Sequence, residues 1–357
     1  MPEPIVESVR IERFRTRSYP ETSSTNVFAH QTLEGGTLLQ NAKTMKAIVK
    51  HGKNLSAMVC QAPAVSTDFD VLVRVALAGI CRTDTYVARG LIDEGCDPLI
   101  LGHEFSGFVE AIGDGVGSVK PGDQVTVMPV IACRQCDECR LGRELRCLNS
   151  SMLGVNRNGA FAEMVVVPER AVYLMPQEMP MRHGAYIEPV AASGAVLNAD
   201  LGAKTGAGLI YGDNRIAELT RRVMVSAGYS NLVVFDPDRG ELLDENSFDF
   251  AVETVASSVA MCQIVSAMKA GGIIIIKSRQ YTPVELYFPA LIKKELTIKA
   301  VQYVDFEKAI AMLGEGVIQV DDILGGSHSL SEFEELLTTE AGVSTKEFFD
   351  PTGDFGS

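Results

Sequence analysis

The chain lacks an excess of basic residues: 32 Lys and Arg stand against 46 Asp and Glu, a formal net charge of −14 over 357 residues. Phosphate backbones and anionic lipid surfaces reward Lys and Arg, so this balance excludes nucleic acid and anionic membranes as main partners and leaves small molecules. There is no apolar run of membrane-spanning length, and the first residues lack the apolar core of a secretory signal. The cytoplasm is therefore the expected compartment. Cysteines spread as a disulfide framework are also missing: half of the eight fall in one short cluster, which fits a reducing compartment and metal binding. A hydrophobic content of 46% excludes a largely disordered chain, and the length suffices for two domains with substantial cores.

What is present centres on residues 79–147. Cys133, Cys136, Cys139 and Cys147 have the spacing C-x2-C-x2-C-x7-C. One compact lobe with this spacing can wrap four thiolates around a tetrahedral ion and leave no position for substrate, which is the pattern of a structural zinc. A second set, Cys81 with His103 and Glu104, mixes soft and hard ligands from separate segments. That composition suits a zinc that keeps one coordination position open for chemistry.

The flanking sequence divides readily. Residues 1–44 are polar, rich in Ser and Thr and without sustained period, and read as a loosely attached arm. From Met45 short β runs follow, including residues 70–77, so that Cys81 falls at the end of a strand where a rigid base can hold a reactive group. Gly102 and Gly107 bracket His103 and Glu104 and permit a tight approach of backbone to the metal site. Residues 185–193 read as a helix crossing to a second domain. Cys60, Cys96 and Cys262 have no spacing logic and are expected as buried thiols; His51 and His183 are expected to be surface or structural.

The second domain opens with a buried strand at 207–211, a turn at Gly212, a helix through Ser226, and a strand at 231–235 that ends on Asp236. Strand, glycine turn, helix, strand and acid is the dinucleotide-binding pattern, with the acid 24 positions after Gly212. An acid there accepts hydrogen bonds from the adenosine ribose and repels a 2′-phosphate, which favours NAD over NADP. Two departures stand out. The middle glycine of the fingerprint is Asn214, whose side chain occupies space normally left to the pyrophosphate, and the third is Ala217, an accepted variant. Arg215 is in position to compensate by pairing with a phosphate. The interval between Asp236 and the next strand, at 248–253, is too short for a further strand and helices, so the adenine side of the cleft must be abbreviated. Residues 268–276 read as a helix end, a glycine turn and a buried strand.

Cys81-x-Thr83-Asp84, the block from Gly102 to Gly107, the turn from Val119 to Val125, the four-cysteine lobe and the run from Gly159 to Glu163 together resemble the zinc-dependent medium-chain dehydrogenase/reductase family. These are the alcohol and polyol dehydrogenases, and the likeness covers roughly residues 45–355. The resemblance implies an α/β fold: a GroES-like irregular β-barrel catalytic domain, over 45–191 and again from 304 to 357, and an abbreviated Rossmann-type, doubly wound parallel-sheet cofactor domain over 192–303. It implies two zinc ions per chain, NAD, a small alcohol or ketone substrate, and a homodimer or homotetramer. Glu188 matches the position of a further ligand in the family and is carried over as a zinc ligand or as a carboxylate holding the zinc water, in competition with Glu104. Thr83 would accept the substrate hydroxyl and pass its proton towards solvent, and Asp84 would fix the tautomer of His103. The expected reaction oxidises a secondary alcohol, polyhydroxylated or cyclic, by hydride transfer to the nicotinamide. The compact cofactor domain is similar to that of the branch including the bacteriochlorophyllide dehydrogenases, which leaves open a larger metabolite such as a tetrapyrrole or amino-sugar intermediate. A zinc scaffold that has lost the dinucleotide is the rival from another class.

Overall fold

The strand Asp70–Gly79 alternates buried and less buried positions, with Val71, Val73 and Val75 fully buried, and it is the strand on which one half of the molecule is assembled. This computed structural model describes residues 43–92, 95–338 and 345–353; the arm expected over residues 1–44 lies outside them except for its last two residues. Asp70–Gly79 pairs antiparallel with Glu104–Ile112 along its length, with Met164–Pro168 at its start and with Lys346–Asp350 at its end. The result is a seven-stranded sheet, extended by Gln124–Val127 and Val172–Leu174 on one side and Leu324–Ser329 on the other. Register shifts after Leu72 and Val75 bend it, as bulges do where a sheet curls into a barrel. Phe105, Phe161 and Phe349 fill the interior, the last two ring-on-edge at 4.9 Å. Gly107 serves this sheet: a Cβ there would lie 2.2 Å from the carbonyl oxygen of Arg74, so the close approach it permits is to a neighbouring strand and not to the metal site.

The second sheet has five parallel strands in the order Leu232–Phe235, Gly208–Tyr211, Phe248–Glu253, Met268–Ile276, Thr297–Ala300. Alternate residues feed two cores. Leu209, Tyr211, Ala251 and Ile274 face one side; Ile210, Phe250, Val252 and Ile275 face the other, as a sheet covered on both faces requires. Only one strand lies on the far side of Gly208–Tyr211, because the eleven residues between Asp236 and Phe248 hold just the turn Pro237–Arg239. Residues 268–276 differ from the expected helix end and turn. They form one strand that pairs already at Met268, bulges where Gly271 takes φ +76°, and resumes at Ile273.

The helix Ile187–Gly194 joins the two sheets. Its residues Ile187, Val190 and Ala191 pack with Leu219 and Val223 of the helix Arg215–Ser226 and with Phe306, Ala309 and Leu313 of the helix Phe306–Gly314. This further core also takes in Leu324 and Phe348 of the barrel strands, so it seats the helix that follows Gly208–Tyr211 against the barrel; open α/β sheets bind their ligands at the C-terminal ends of their strands.

Candidate active site

Cys81 follows the strand Asp70–Gly79 and caps the short helix Arg82–Ala88. Its N–H donates to Asp84 Oδ2 at 2.8 Å, while Asp84 Oδ1 accepts from the N–H of Gly102 at 3.2 Å and lies 3.1 Å from His103 Nδ1. One buried carboxylate thus ties the two metal-ligand segments together. Gly102 is required here: it takes φ +92°, and a Cβ on it would lie 2.4 Å from the ring of Phe161. Burial disfavours the charged form of His103, but the charge and hydrogen bond of Asp84 outweigh this and hold its pKa well above the ordinary histidine value. A cation at the ring's other nitrogen would take the place of that proton, with Asp84 still accepting from Nδ1.

Sγ of Cys81, a ring nitrogen of His103 and a carboxylate oxygen of Glu104 all lie within 4.8 Å of one another. The donor set of thiol, imidazole and carboxylate fits a zinc with three protein ligands. Glu104, the first residue of its strand, also meets the amine of Lys346, which in turn donates to the carbonyl of Ile80 at 2.7 Å. Gly79 makes room for that lysine, since a Cβ there would lie 2.5 Å from Lys346 Cε. Sequence reasoning missed Lys346, because a single lysine 242 positions after Glu104 carries no spacing signal. Only the pairing of Phe348 with Gly79 brings it in.

Glu188 lies outside this three-residue group. It is buried, and it accepts from the hydroxyl of Tyr303 at 2.6 Å. Burial and the nearby charge of Glu104 push its carboxyl pKa up, opposed by His103, Tyr303 and Arg279. Arg279 donates to the same Tyr303 hydroxyl at 3.2 Å, with its guanidinium carbon 5.7 Å from the ring centre. The Lys277 amine donates to the carbonyl of Ala192, at the end of the helix that carries Glu188. Tyr281 meets Tyr86 of the Cys81-capped helix edge-on at 5.3 Å. These contacts from Lys277, Arg279, Tyr281 and Tyr303 were also missed; they come from the segments after two strands of the parallel sheet and close over the metal donors only in three dimensions. Thr83 is buried on that helix, two residues from Cys81.

In the cysteine lobe, Sγ separations are 3.5 Å for Cys136 and Cys139, 3.8 Å for Cys136 and Cys147, and 4.0 Å for Cys133 and Cys139. Four sulfurs about 2.3 Å from a tetrahedral zinc stand about 3.8 Å apart, so the lobe fits the ion. Backbone N–H groups of Gln135 and Cys136 hold the Cys133 thiol down at about 6, while burial pushes Cys139 up to about 12; a divalent cation would ionise all four. Of the remaining cysteines, Cys60 is buried, Cys96 is half-buried, and Cys262, in the middle of the helix Ser258–Ala267, is exposed, contrary to the buried thiol expected. His51 is exposed, and His183 Nε2 lies 2.7 Å from Asp321.

On the parallel sheet, Gly212 takes φ +124°, and a Cβ there would lie 2.4 Å from Thr254 Oγ1. Asn214 is the N-cap of the helix Arg215–Ser226. Its Oδ1 accepts from the N–H of Ile216 at 2.9 Å and of Ala217 at 3.1 Å, and its Nδ2 donates to Thr254 Oγ1 at 3.0 Å. Two of the helix-end donors on which a pyrophosphate would rest are thus taken by the chain itself. Arg215 donates to the carbonyl of Thr345 at 2.8 Å, which commits part of its guanidinium elsewhere than a phosphate. Asp236 accepts from the N–H of Asp238 at 2.9 Å and from Arg239 Nε at 3.0 Å, and lines a cavity of about 380 Å³ with Asp213, Arg221, Phe235 and Arg239. The glycine turn, the Asp236 carboxylate and the cavity fit an adenosine moiety, while Asn214 holds the donors a phosphate would use.

Comparison with known proteins agrees with this architecture. Residues 67–177 match the alcohol dehydrogenase GroES-like domain. L-threonine 3-dehydrogenase of Bacillus subtilis is 31% identical over 241 residues, 65% of this chain and 68% of that protein. The chain belongs to the medium-chain dehydrogenase/reductase family. Galactitol 1-phosphate 5-dehydrogenase of Escherichia coli is 32% identical over 198 residues, 55% of this chain and 56% of the relative, so the matched stretch spans little more than half the length of that protein. A protein of Sinorhizobium meliloti assigned as a zinc-binding dehydrogenase, solved with NADP, superposes with a TM-score of 0.80 at 26% identity, covering 87% of this chain and all of that one. Among the described residues no helix of this family member is long and apolar enough to cross a membrane.

Proposed function

We propose that this chain is a zinc-dependent, nicotinamide-linked alcohol oxidoreductase acting on a secondary alcohol. The observation that carries this reading is the meeting of the Cys81, His103 and Glu104 donors with residues that follow the parallel strands, across the Tyr86–Tyr281 contact. Zinc held by Cys81, His103 and Glu104 supplies a Lewis acid that lowers the pKa of a substrate hydroxyl, and a nicotinamide supplies the hydride acceptor. Asp84 keeps His103 in the tautomer that leaves Nε2 free for the ion. Thr83 accepts the substrate hydroxyl proton and hands it towards solvent. Glu188, held by Tyr303, positions the remaining ligand or water, and Lys346 keeps the Glu104 carboxylate oriented. Cys133, Cys136, Cys139 and Cys147 hold a second zinc that braces their lobe.

NAD is the preferred dinucleotide in this reading, since a carboxylate at the strand end, Asp236, would repel a 2′-phosphate; Arg239, paired with it, offsets part of that charge. The edge strand Thr297–Ala300 is exposed along its whole length, which supports assembly of the parallel sheet with a second copy. The polyol, cyclitol or amino-sugar character of the substrate rests on the family likeness and on relatives such as the galactitol 1-phosphate enzyme. Titration of zinc-replete protein with NADH and NADPH, followed by nicotinamide fluorescence, tests the proposal. NADH is expected to bind more tightly than NADPH. The reverse order would remove Asp236 from the ribose site, and no binding of either at millimolar concentration would leave a zinc scaffold without redox chemistry.

A further inference from the structure

The tripeptide Lys277-Ser278-Arg279 follows the C-terminal end of the strand Met268–Ile276 and carries a buried amine and a guanidinium into the cleft beside Cys81. In a chain with a net charge of −14, cations in a cleft are expected to be matched with carboxylates. The other charged groups of the site are matched so: Lys346 with Glu104, and His103 with Asp84. Lys277 and Arg279 have carboxylates only at longer range: Glu188 acts on both, and Glu253 acts on Lys277. Among the described residues neither has a carboxylate within salt-bridge distance; the amine takes the carbonyl of Ala192, and the guanidinium takes the neutral hydroxyl of Tyr303. Arg279 is exposed, and its hydrogen bond to Tyr303 uses Nη2 alone.

We infer that the substrate alcohol carries an oxyanion, a carboxylate or a phosphate, and that Arg279, with Lys277 behind it, is the group that selects it. The inference rests on the cleft being the substrate site, as proposed above. A guanidinium is a planar fork that binds such oxyanions through two parallel hydrogen bonds, which an ammonium or a hydroxyl does not reproduce. Its place also separates it from the dinucleotide phosphates. Those belong at the Gly212 turn, after a strand two positions away in the sheet, about 10 Å across at ordinary strand spacing. The surroundings reinforce the charge. Tyr303 above all, then Glu188 and Cys81, raise the pKa of Arg279 against the effect of burial, so the guanidinium stays charged at any working pH. Tyr86 and Tyr281 wall the cleft with apolar surface, which strengthens a charged contact made within it.

The test compares matched alcohols that differ only in the anion: 3-hydroxybutyrate against 2-butanol, and sn-glycerol 3-phosphate against glycerol, with L-threonine as a further carboxylate. In the zinc-loaded wild type, at least one anionic alcohol is expected to exceed its neutral counterpart in kcat/KM by about 10- to 100-fold, the range of a hydrogen bond to a charged group. Which of the two pairs shows it distinguishes carboxylate from phosphate. Arg279→Met should collapse that ratio towards one through KM, Arg279→Lys should restore part of it, and both variants should keep the zinc content and NADH affinity of the wild type. A wild-type ratio near one, or a ratio unchanged in Arg279→Met, overturns the inference. Should NADH fail to bind and no alcohol be oxidised, the dehydrogenase reading fails on its own, and calorimetry with the same two anions decides the rest. Heat of binding lost in Arg279→Met upholds the anion site, and no heat in the wild type overturns it.

Discussion

Asn214 gives the sharpest test of the cofactor site. Its side chain holds the N–H groups of Ile216 and Ala217 and the hydroxyl of Thr254, so a pyrophosphate reaching the helix end must first displace all three contacts. An asparagine cap is worth only a few tenths of a kcal/mol over glycine, because water serves the freed groups, and the Thr254 bond adds about 1 kcal/mol. The displacement therefore costs about 1 to 2 kcal/mol, which at 1.4 kcal/mol per decade is about 5- to 30-fold in affinity. Asn214→Gly removes that cost without backbone strain, since the backbone there, at φ −147°, is extended and accepts either residue. NADH measured by nicotinamide fluorescence should bind the variant about 5- to 30-fold more tightly, with Tm lowered by about 1 to 3 °C because the folded protein loses the same contacts. An affinity equal to or weaker than that of the wild type, in a variant whose Tm falls no further than this, would refute the argument that Asn214 stands in the way of the phosphates.

Two further outcomes follow from the same geometry. Cys81→Ser should lose about one zinc per chain and all activity while keeping its fold, whereas Cys136→Ser should unfold the lobe and lower Tm, because binding energy in a closed site is folding energy; elemental analysis finding both zincs in Cys81→Ser would overturn the assignment of the open site. Burial lowers the Lys277 amine from its ordinary 10.5 to about 7. The unfolded chain then binds the extra proton between those values, so the lysine's destabilising contribution is fullest below pH 7 and fades as pH rises to about 10.5. Lys277→Leu should accordingly be more stable than the wild type at pH 7 by denaturant unfolding, with the gap narrowing by pH 10; a gap that is constant with pH would mean the amine is not buried in solution.

Local chemistry was enough to read much of this protein. The cysteine spacing marks a lobe, because a tetrahedral ion needs four sulfurs from one short loop, and the Sγ separations of 3.5 to 4.0 Å meet that need. Parallel strands buried on both faces read as continuous apolar runs, so the strands at Gly208–Tyr211 and Phe248–Glu253 and the helix Arg215–Ser226 were legible from composition alone. The short interval after Asp236 likewise foretold a sheet with a single strand beyond Gly208–Tyr211.

Long-range pairing decided the rest. Lys346 reaches Glu104 only because a C-terminal strand adds to the end of Asp70–Gly79, and Gly79, unremarkable in sequence, is what leaves space for it. Glu188 looked equivalent to Glu104 as a ligand; packing of its helix puts it on Tyr303 and outside the three-donor group. Asn214 looked like an obstruction by volume, and the fold makes it a cap that uses the very donors a phosphate would take. Lys277 and Arg279 had no motif at all. Their meaning lies in which charges stand near them, and a sequence records residue types along a line, while electrostatic balance depends on distances between segments that only the folded chain sets.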